Sequence, residues 1–191
     1  MKTLILCDKP SAHFQEVDIG AEITAALRDT PTTIELIRLD GDDIHPCLGC
    51  FHCWVKTPGV CRQTLDSANT VARQEVQADA LVIVSKITYG GYSYDTKAFL
   101  DRSIQNISPF FKIIKGEMRH KMRYTRFPTL ITIGYGEHTK REEEIFTHLA
   151  SRNALNFRPP DNFVFTAANP EELHRTVERL RGVLSSQAHH E

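Results

Sequence analysis

The 191-residue sequence lacks the features that mark several large classes of protein. It has no apolar run near the roughly 18 residues that a membrane-spanning helix needs, and no internal repeat or low-complexity stretch. Neither a Walker-type phosphate loop nor a serine–histidine–aspartate arrangement is present. The first residues, Met1–Leu6, are too few for a secretory signal. These absences favour a cytoplasmic protein that does not use a membrane.

An excess of one charge is also missing. The 23 Lys and Arg residues nearly balance the 24 Asp and Glu residues, so the net charge is −1 and gives no sign of a nucleic-acid partner. The 41% hydrophobic and 25% charged fractions are those of an ordinary globular chain. Residues 1–191 are therefore predicted to form a single domain that is stable without cross-links.

Short apolar runs alternate with amphipathic segments along the chain. The strongest run, Leu81–Val84, is apolar throughout, as in parallel strands that helices cover on both faces. The pattern predicts an α/β fold, a doubly wound five-stranded parallel sheet in the order 2-1-3-4-5, with helices on both faces. The predicted strands are Leu4–Cys7, Ile34–Leu39, Ala80–Val84, Thr129–Ile133 and Asn162–Thr166. The predicted helices are Ile19–Leu27, a helix capped by Asp66 that runs to about Gln77, Asp95–Ile107, Lys140–Arg152 and Pro170–Leu184.

Three loops lie at the carboxyl ends of the predicted central strands, where such sheets bind ligands. They are residues 8–17, 85–93 and 134–139. The second contains Gly90 and Gly91, whose backbone can approach a flat ligand closely; an ordinary glycine-rich turn is the alternative. The first enters a helix, where free N–H groups attract phosphate, and Lys9, Ser11 and His13 could add donors.

Two segments interrupt the regular alternation. Residues 44–65 form an irregular, cysteine-rich loop. Residues 108–127 form an extended basic insertion, longer than a usual connection, which is interpreted as an interface arm, an anion contact or a solvated basic loop.

The cysteine-rich loop has the spacing Cys47-x2-Cys50-x2-Cys53-x7-Cys61. Two-residue gaps let neighbouring thiolates converge on one centre, and a fourth, more distant cysteine can close it. Four thiolates suit a cubane iron–sulfur cluster or a tetrahedral zinc ion. The spacing is unlike that of a zinc ribbon, which has two separated Cys-x2-Cys pairs. The alternative is a set of reduced thiols that pack the loop around Trp54.

The cysteine segment from Cys47 to Cys61 resembles that of flavodoxin-like NAD(P)H-dependent FMN reductases and iron–sulfur flavoproteins. The block from Ala78 through the Gly90-Gly91-Tyr92-Ser93 turn to Asp101-Arg102 is similar to the flavin-binding loop and following helix of that family. The resemblance covers about residues 44–136. It implies a flavodoxin fold, noncovalent FMN, NAD(P)H as co-substrate, and a homodimer or homotetramer.

The resemblance also implies roles for individual residues. Cys47, Cys50, Cys53 and Cys61 would be the ligands of a [4Fe–4S] cluster. Ser11 and His13 would lie near the FMN phosphate. The flavin ring would be lined by Ile87, Thr88, Tyr89, Gly90 and Ser93. Because they lie in the same three loops, Lys9, Ser85, Gly134 and Gly136 are further candidates for cofactor binding.

The sequence thus predicts an FMN-dependent oxidoreductase that exchanges electrons with a small molecule or a protein. No side chain is identified as a catalytic acid or base. Because the loop at residues 8–14 has no glycine, one alternative is a flavodoxin-fold interaction or regulatory subunit that has lost FMN. The other is a cysteine-based redox or metal switch.

Overall fold

A five-stranded parallel sheet forms the centre of the protein. The computed structural model describes residues 1–9, 18–40 and 43–188. Numbered along the chain, the strands are β1 (Lys2–Asp8), β2 (Thr33–Leu39), β3 (Ala80–Lys86), β4 (Ile107–Ile114), β5 (Glu117–Met122), β6 (Thr129–Tyr135) and β7 (Asn162–Ala167). The large sheet has the order β2-β1-β3-β6-β7, and β4 pairs with β5 separately. The predicted fold and strand order are confirmed, since the five sheet strands follow the order 2-1-3-4-5.

Helices cover the sheet. Over the described residues they are α1 (Ile19–Ala26), α2 (His52–Val55), α3 (Ala68–Gln77), α4 (Tyr94–Arg102), α5 (Lys140–Phe157) and α6 (Pro170–Ala188). Polar side chains begin several of them: Thr139 and Glu142 form a reciprocal capping box at α5, and Ser93 accepts the Thr96 N–H at α4. No helix in the described ranges is both long and apolar enough to cross a bilayer.

Alternate side chains of each strand enter two separate cores, because side chains along a strand point to opposite faces. On one face, Ile5 and Val82 pack with residues of α1 and α6. On the other, Leu4, Leu81 and Phe99 pack with residues of α3, α4 and α5. Both faces are therefore buried, which explains the continuous apolar runs of β1 and β3.

Several predicted helix boundaries were wrong: α5 ends at Phe157 rather than Arg152, and α6 ends at Ala188 rather than Leu184. Helix α4 stops at Arg102 and continues as a 3-10 helix over Ser103–Asn106, and β4 then begins at Ile107. The N-cap position of α3 is Ser67 rather than Asp66, but Asp66 Oδ1 still accepts a hydrogen bond from the Ala68 N–H at 3.3 Å, in addition to its ion pair with Arg102.

The basic insertion contains an antiparallel hairpin, β4–β5. Its tip is the two-residue turn Lys115-Gly116, where φ is 50° and 79°, as expected for a type I′ hairpin turn. The register places Phe111 opposite His120 and Ile113 opposite Met118 on one face, and Lys112 opposite Arg119 on the other. The insertion is therefore regular structure, and whether it serves as an interface arm stays a prediction.

Gly134 is fixed by close packing at the end of β6. A Cβ atom there would lie 2.6 Å from Phe146 Cε1 and 2.8 Å from Ile87 Cδ1. We expect Gly134→Ala to lower the free energy of unfolding by about 1–3 kcal/mol, because the added methyl overpacks the core. Urea denaturation measures the change.

Gly182→Ala is the matched control, since an added methyl group would have nothing within 4 Å of it on the exposed side of α6. It should raise stability by up to about 1 kcal/mol through helix propensity. Equal stabilities for the two variants would contradict the packing argument.

Candidate functional site

Asp8 ties together three strands at the carboxyl edge of the sheet. Its side chain is 1% exposed. Oδ1 accepts a hydrogen bond from the Tyr135 hydroxyl at 2.8 Å, and Oδ2 accepts one from the Lys86 N–H at 2.7 Å. The ends of β1, β3 and β6 are therefore held at a fixed separation around one buried carboxylate.

Burial raises the pKa of Asp8, while the hydrogen bonds that it accepts oppose the rise. Burial and the neighbouring Asp8 also raise the pKa of Tyr135, so its hydroxyl remains a proton donor. Neither residue was predicted to belong to the site. The available signal was an ionisable residue at the carboxyl end of an apolar strand.

The glycine-rich turn after β3 presents backbone donors at this edge. Thr88 and Gly91 exchange two backbone hydrogen bonds, of 3.0 and 2.8 Å, and close the turn. Tyr89 and Gly90 at its tip have φ of 51° and 77°. Their two amide N–H groups bond to no group of the described chain. The Tyr89 side chain is 92% exposed, so a flat ligand could reach its ring, whereas Gly90 is buried.

Most other residues predicted to bind the flavin cofactor support this turn. The Ser85 hydroxyl, which is fully buried, accepts the Ser93 N–H at 3.0 Å. Ile87 is buried beneath the turn. Gly134 packs against Phe146, and the Gly136 N–H donates to the Ala167 carbonyl at 3.0 Å. Among these candidates, Thr88 and Tyr89 are exposed; direct contact with a cofactor stays a prediction for all of them.

The predicted phosphate side of the site is only partly described. Lys9 Nζ lies 2.8 Å from Asp40 Oδ2, so its charge is paired across the ends of β1 and β2. Ser11 and His13 lie outside the described residues. Their predicted contact with a phosphate therefore stays a prediction.

All four cysteines of the loop line one cavity. The cavity is small, with a volume of about 30 Å³. Cys53 and Cys61 are buried, Cys50 is exposed, and all four thiols are free. Within residues 1–9, 18–40 and 43–188, no three His, Cys, Asp or Glu side chains are already gathered closely enough to hold a metal ion. The cavity wall is completed by Leu48, Gly49, Phe51, Gln63, Arg102 and Ile104.

A buried ion pair holds the two ends of the cysteine loop. Arg102 Nη1 donates to Asp66 Oδ2 at 2.6 Å and Nη2 donates to Asp66 Oδ1 at 3.0 Å. The same two nitrogens donate to the carbonyl oxygens of His45 (2.9 Å) and Gln63 (3.1 Å), which flank the four cysteines. Burial alone would raise the pKa of Asp66, but the hydrogen bonds from Arg102 outweigh it, so the pKa is lowered. Arg102 could have been found as a charged residue on the otherwise apolar face of α4.

Cys61 is held by its backbone. Its N–H lies 3.0 Å from both Asn69 Oδ1 and Gln105 Oε1, while its carbonyl accepts from Asn69 Nδ2 at 3.0 Å. Burial raises the pKa of the neighbouring Cys53 thiol, and the proximity of Cys61 adds to the rise. The thiol pair on this side of the cavity is thus fixed in place and protected from water.

The 3-10 helix that carries Gln105 rests on a buried glutamate. Glu75 on α3 is 1% exposed, and its Oε2 accepts from Asn106 Nδ2 at 2.6 Å. Its Oε1 and the Ser103 hydroxyl make no hydrogen bond of normal geometry within the described part of the chain, although Ser103 is close enough to act on the pKa of Glu75. Burial raises the pKa of Glu75 to about 7, against the effect of the Asn106 hydrogen bond.

Aromatic contacts join the cysteine loop to the hairpin. The ring centroids of Phe51 and Trp54 lie 5.1 Å apart, those of Trp54 and His120 5.6 Å, and those of His120 and Phe111 4.4 Å. The Trp54 indole N–H donates to the Ile104 carbonyl at 2.9 Å. Trp54 therefore anchors the loop through its ring contacts and its indole N–H, and whether the thiols pack around it stays a prediction.

Solved structures share the whole fold. The chain superposes on an azoreductase from Bacillus anthracis str. Sterne with a TM-score of 0.65 and 11% identity, covering 97% of this chain and 99% of that one. It superposes on an FMN-dependent NADH-azoreductase from Bacillus anthracis str. Ames Ancestor, solved with FMN, with a TM-score of 0.61 and 17% identity. That match covers 98% of this chain and 100% of the other. For oxidised flavodoxin 1 from Bacillus cereus the TM-score is 0.57 and the identity is 11%, over 97% of this chain and 98% of the other. These likenesses show the flavodoxin-like fold.

A curated relative supports the resemblance to iron–sulfur flavoproteins. An iron–sulfur flavoprotein from Methanocaldococcus jannaschii is 26% identical over 103 residues, which is 54% of this chain and 52% of that protein. The chain therefore aligns with about half the length of this relative. No family model matches the sequence.

Glu75 should give the protein a distinctive dependence of stability on pH. Its pKa is about 7 in the folded protein, against an ordinary value of 4.5. Between these values the folded state holds a proton that the unfolded state has lost, so stability falls as pH rises. In Glu75→Gln the free energy of unfolding should fall by up to about 3 kcal/mol less over this pH range than in the wild-type protein. Urea denaturation of both proteins at pH 5 and pH 8 measures the difference.

The exposed Glu178 on α6 provides the control. Glu178→Gln should leave the pH dependence of the wild-type protein unchanged. If the slope for Glu75→Gln equals that of the control, Glu75 does not titrate in this range.

Proposed function

We propose that the protein is an FMN-dependent oxidoreductase that takes electrons from NAD(P)H or a protein donor and passes them to a second molecule. The observation that carries the proposal is the turn at Tyr89-Gly90. There, two backbone N–H groups without a partner in the described chain and an exposed aromatic ring lie at the carboxyl edge of the sheet. When bound, FMN would supply the hydride and electron chemistry. The solved relative that binds FMN has the same fold.

The described residues fit the ring portion of FMN. The Tyr89 and Gly90 amides are donors suited to ring carbonyls and ring nitrogens, and the Tyr89 side chain can cover one ring face. The turn cannot collapse, because Gly90 is in contact with Ile145 on α5 and Ser93 caps α4 beneath it. The chain's own contribution is therefore to position the ring and to exclude water from one of its faces.

Gly90→Ala tests this role. At φ of 77° a side chain is strained, and the new methyl would lie 2.9 Å from Ile145 Cβ. Strain of about 1–2 kcal/mol should distort the turn and weaken FMN binding about tenfold. Quenching of flavin fluorescence on titration with protein measures the dissociation constant.

Gly116→Ala is the control, because Gly116 also has a positive φ (79°) but lies at the hairpin tip with nothing within 4 Å. It should bind FMN like the wild-type protein. Wild-type protein that takes up no FMN would refute the proposal and favour the alternative of an interaction or regulatory subunit.

We propose, as a second function of the same chain, that the cysteine cavity holds a [4Fe–4S] cluster. The four free thiols that line one cavity support this, and so does the curated iron–sulfur relative. A [4Fe–4S] cluster is bound by four cysteine thiolates, and the cavity offers four cysteines. Because Cys50 is exposed and no three ligands are gathered in the described residues, the segment from Cys47 to Cys50 must turn inward to complete the site. The cluster would supply one-electron transfer.

Anaerobic reconstitution with iron and sulfide tests the cluster. Wild-type protein should bind about four iron and four sulfide ions per chain. Cys61→Ser should retain less than half of that amount, since it removes a ligand fixed by two backbone hydrogen bonds. Cys7→Ala, a buried cysteine outside the cavity, should bind the wild-type amount. Metal analysis that finds one zinc ion per chain instead would support the switch alternative.

Assembly as a homodimer or homotetramer is part of the same proposal. The hairpin exposes Phe111, Ile113 and Met118 on one face, at 52%, 76% and 70%. Exposed apolar groups of this kind are typical of interaction surfaces.

A further inference from the structure

One buried N–H donor of Arg102 makes no hydrogen bond of normal geometry in the described chain. The guanidinium has five N–H donors. Four of them are directed to Asp66, His45 and Gln63 through Nη1 and Nη2. The fifth, Nε–H, is buried and makes no hydrogen bond of normal geometry within the described residues, although the Cys61 side chain also interacts with the guanidinium. Folded proteins rarely leave a buried donor of a charged group unpaired.

This donor belongs to the wall of the cysteine cavity. Arg102 is 1% exposed and lines the cavity together with all four cysteines. Burial alone would lower the pKa of Arg102, but the hydrogen bond to Asp66 and the nearby Cys61 side chain outweigh it and raise the pKa. Arg102 is the sole cationic residue among the described residues that line the cavity, so the cavity favours an anionic occupant.

We propose that Arg102 Nε–H donates a hydrogen bond to an anionic sulfur of the cluster held in this cavity, and thereby raises its reduction potential. The inference rests on the cluster proposed above. A hydrogen bond and a fixed positive charge both stabilise the more negative, reduced form more than the oxidised form. Arg102 would therefore be a positioning and tuning residue, fixed by Asp66, rather than a ligand.

Selective labelling tests the contact directly. The full-length chain is prepared with ¹⁵N only in arginine, reconstituted anaerobically with iron and sulfide, and reduced with dithionite. Pulsed electron paramagnetic resonance is recorded away from any narrow free-radical line. We expect a ¹⁵N coupling to the cluster in the wild-type protein and in Arg62→Lys, whose arginine is exposed beside Cys61. Arg102→Lys, which keeps the charge but has no Nε–H, should lose the coupling.

The reduction potential provides a second readout. Arg102→Lys should shift the one-electron equilibrium about tenfold towards the oxidised cluster, which corresponds to about 59 mV. Arg62→Lys should leave the potential unchanged. Should Arg102→Lys fail to fold, the wild-type and Arg62→Lys spectra still decide the question, because Arg102 is the sole arginine among the described residues of the cavity wall.

The outcomes separate the two proposals. A cluster that forms without any ¹⁵N coupling overturns the role of Arg102 and leaves the cluster proposal standing. Protein that binds no iron and sulfide overturns the cluster proposal, and the role of Arg102 falls with it. A wild-type coupling that is lost in Arg102→Lys and kept in Arg62→Lys supports the inference.

Discussion

The buried ion pair between Arg102 and Asp66 fixes the conformation of the cysteine-rich loop, which is not part of the sheet. The chain between Ile44 and Ser67 contains no strand and only the four-residue helix α2, so few backbone hydrogen bonds fix it. Arg102 supplies hydrogen bonds in their place, because it donates to the carbonyl groups of His45 and Gln63 on the two sides of the cysteines. A planar guanidinium can serve a carboxylate and two carbonyls at once, whereas an ammonium group cannot match that geometry. Breaking such a pair leaves a buried charge uncompensated, which costs about 3–5 kcal/mol.

Helix α4 joins the two candidate sites. Its N-cap, Ser93, belongs to the glycine-rich turn, and its last residue, Arg102, belongs to the cysteine cavity. Nine helical residues span about 14 Å, so a single rigid element sets the separation of the two sites. Phe99 is fully buried against the sheet and prevents the helix from sliding. If both cofactors bind as proposed, their spacing is a property of the fold rather than of mobile loops.

The fold was predictable because its signal is local and repeated. Leu81–Val84 and the other apolar runs, each followed by a helical stripe, determine a parallel sheet with little ambiguity. Hairpin β4–β5 escaped prediction, since Lys115 has a positive φ that lysine rarely adopts and the strands carry mixed polar and apolar residues. Asp8 and Arg102 were missed as organising groups for another reason. A local signal marks each residue as unusual, but their partners are 127 and 36 residues away in sequence, so the pattern does not show which group each one binds.

Charge at the sheet edge determines how FMN would have to bind. Asp8 is buried at the point where β1 leads towards the predicted phosphate loop, and Lys9 is already paired with Asp40. Burial raises the pKa of Asp8, and a phosphate dianion placed near this carboxyl would be repelled whenever the carboxyl is ionised. The turn at Tyr89-Gly90 has no such conflict, because its backbone amides are neutral and would face the ring under the proposed function. Under the proposed function, affinity should therefore depend more on the ring and less on the phosphate than in a flavoprotein with a hydroxyl-rich phosphate loop.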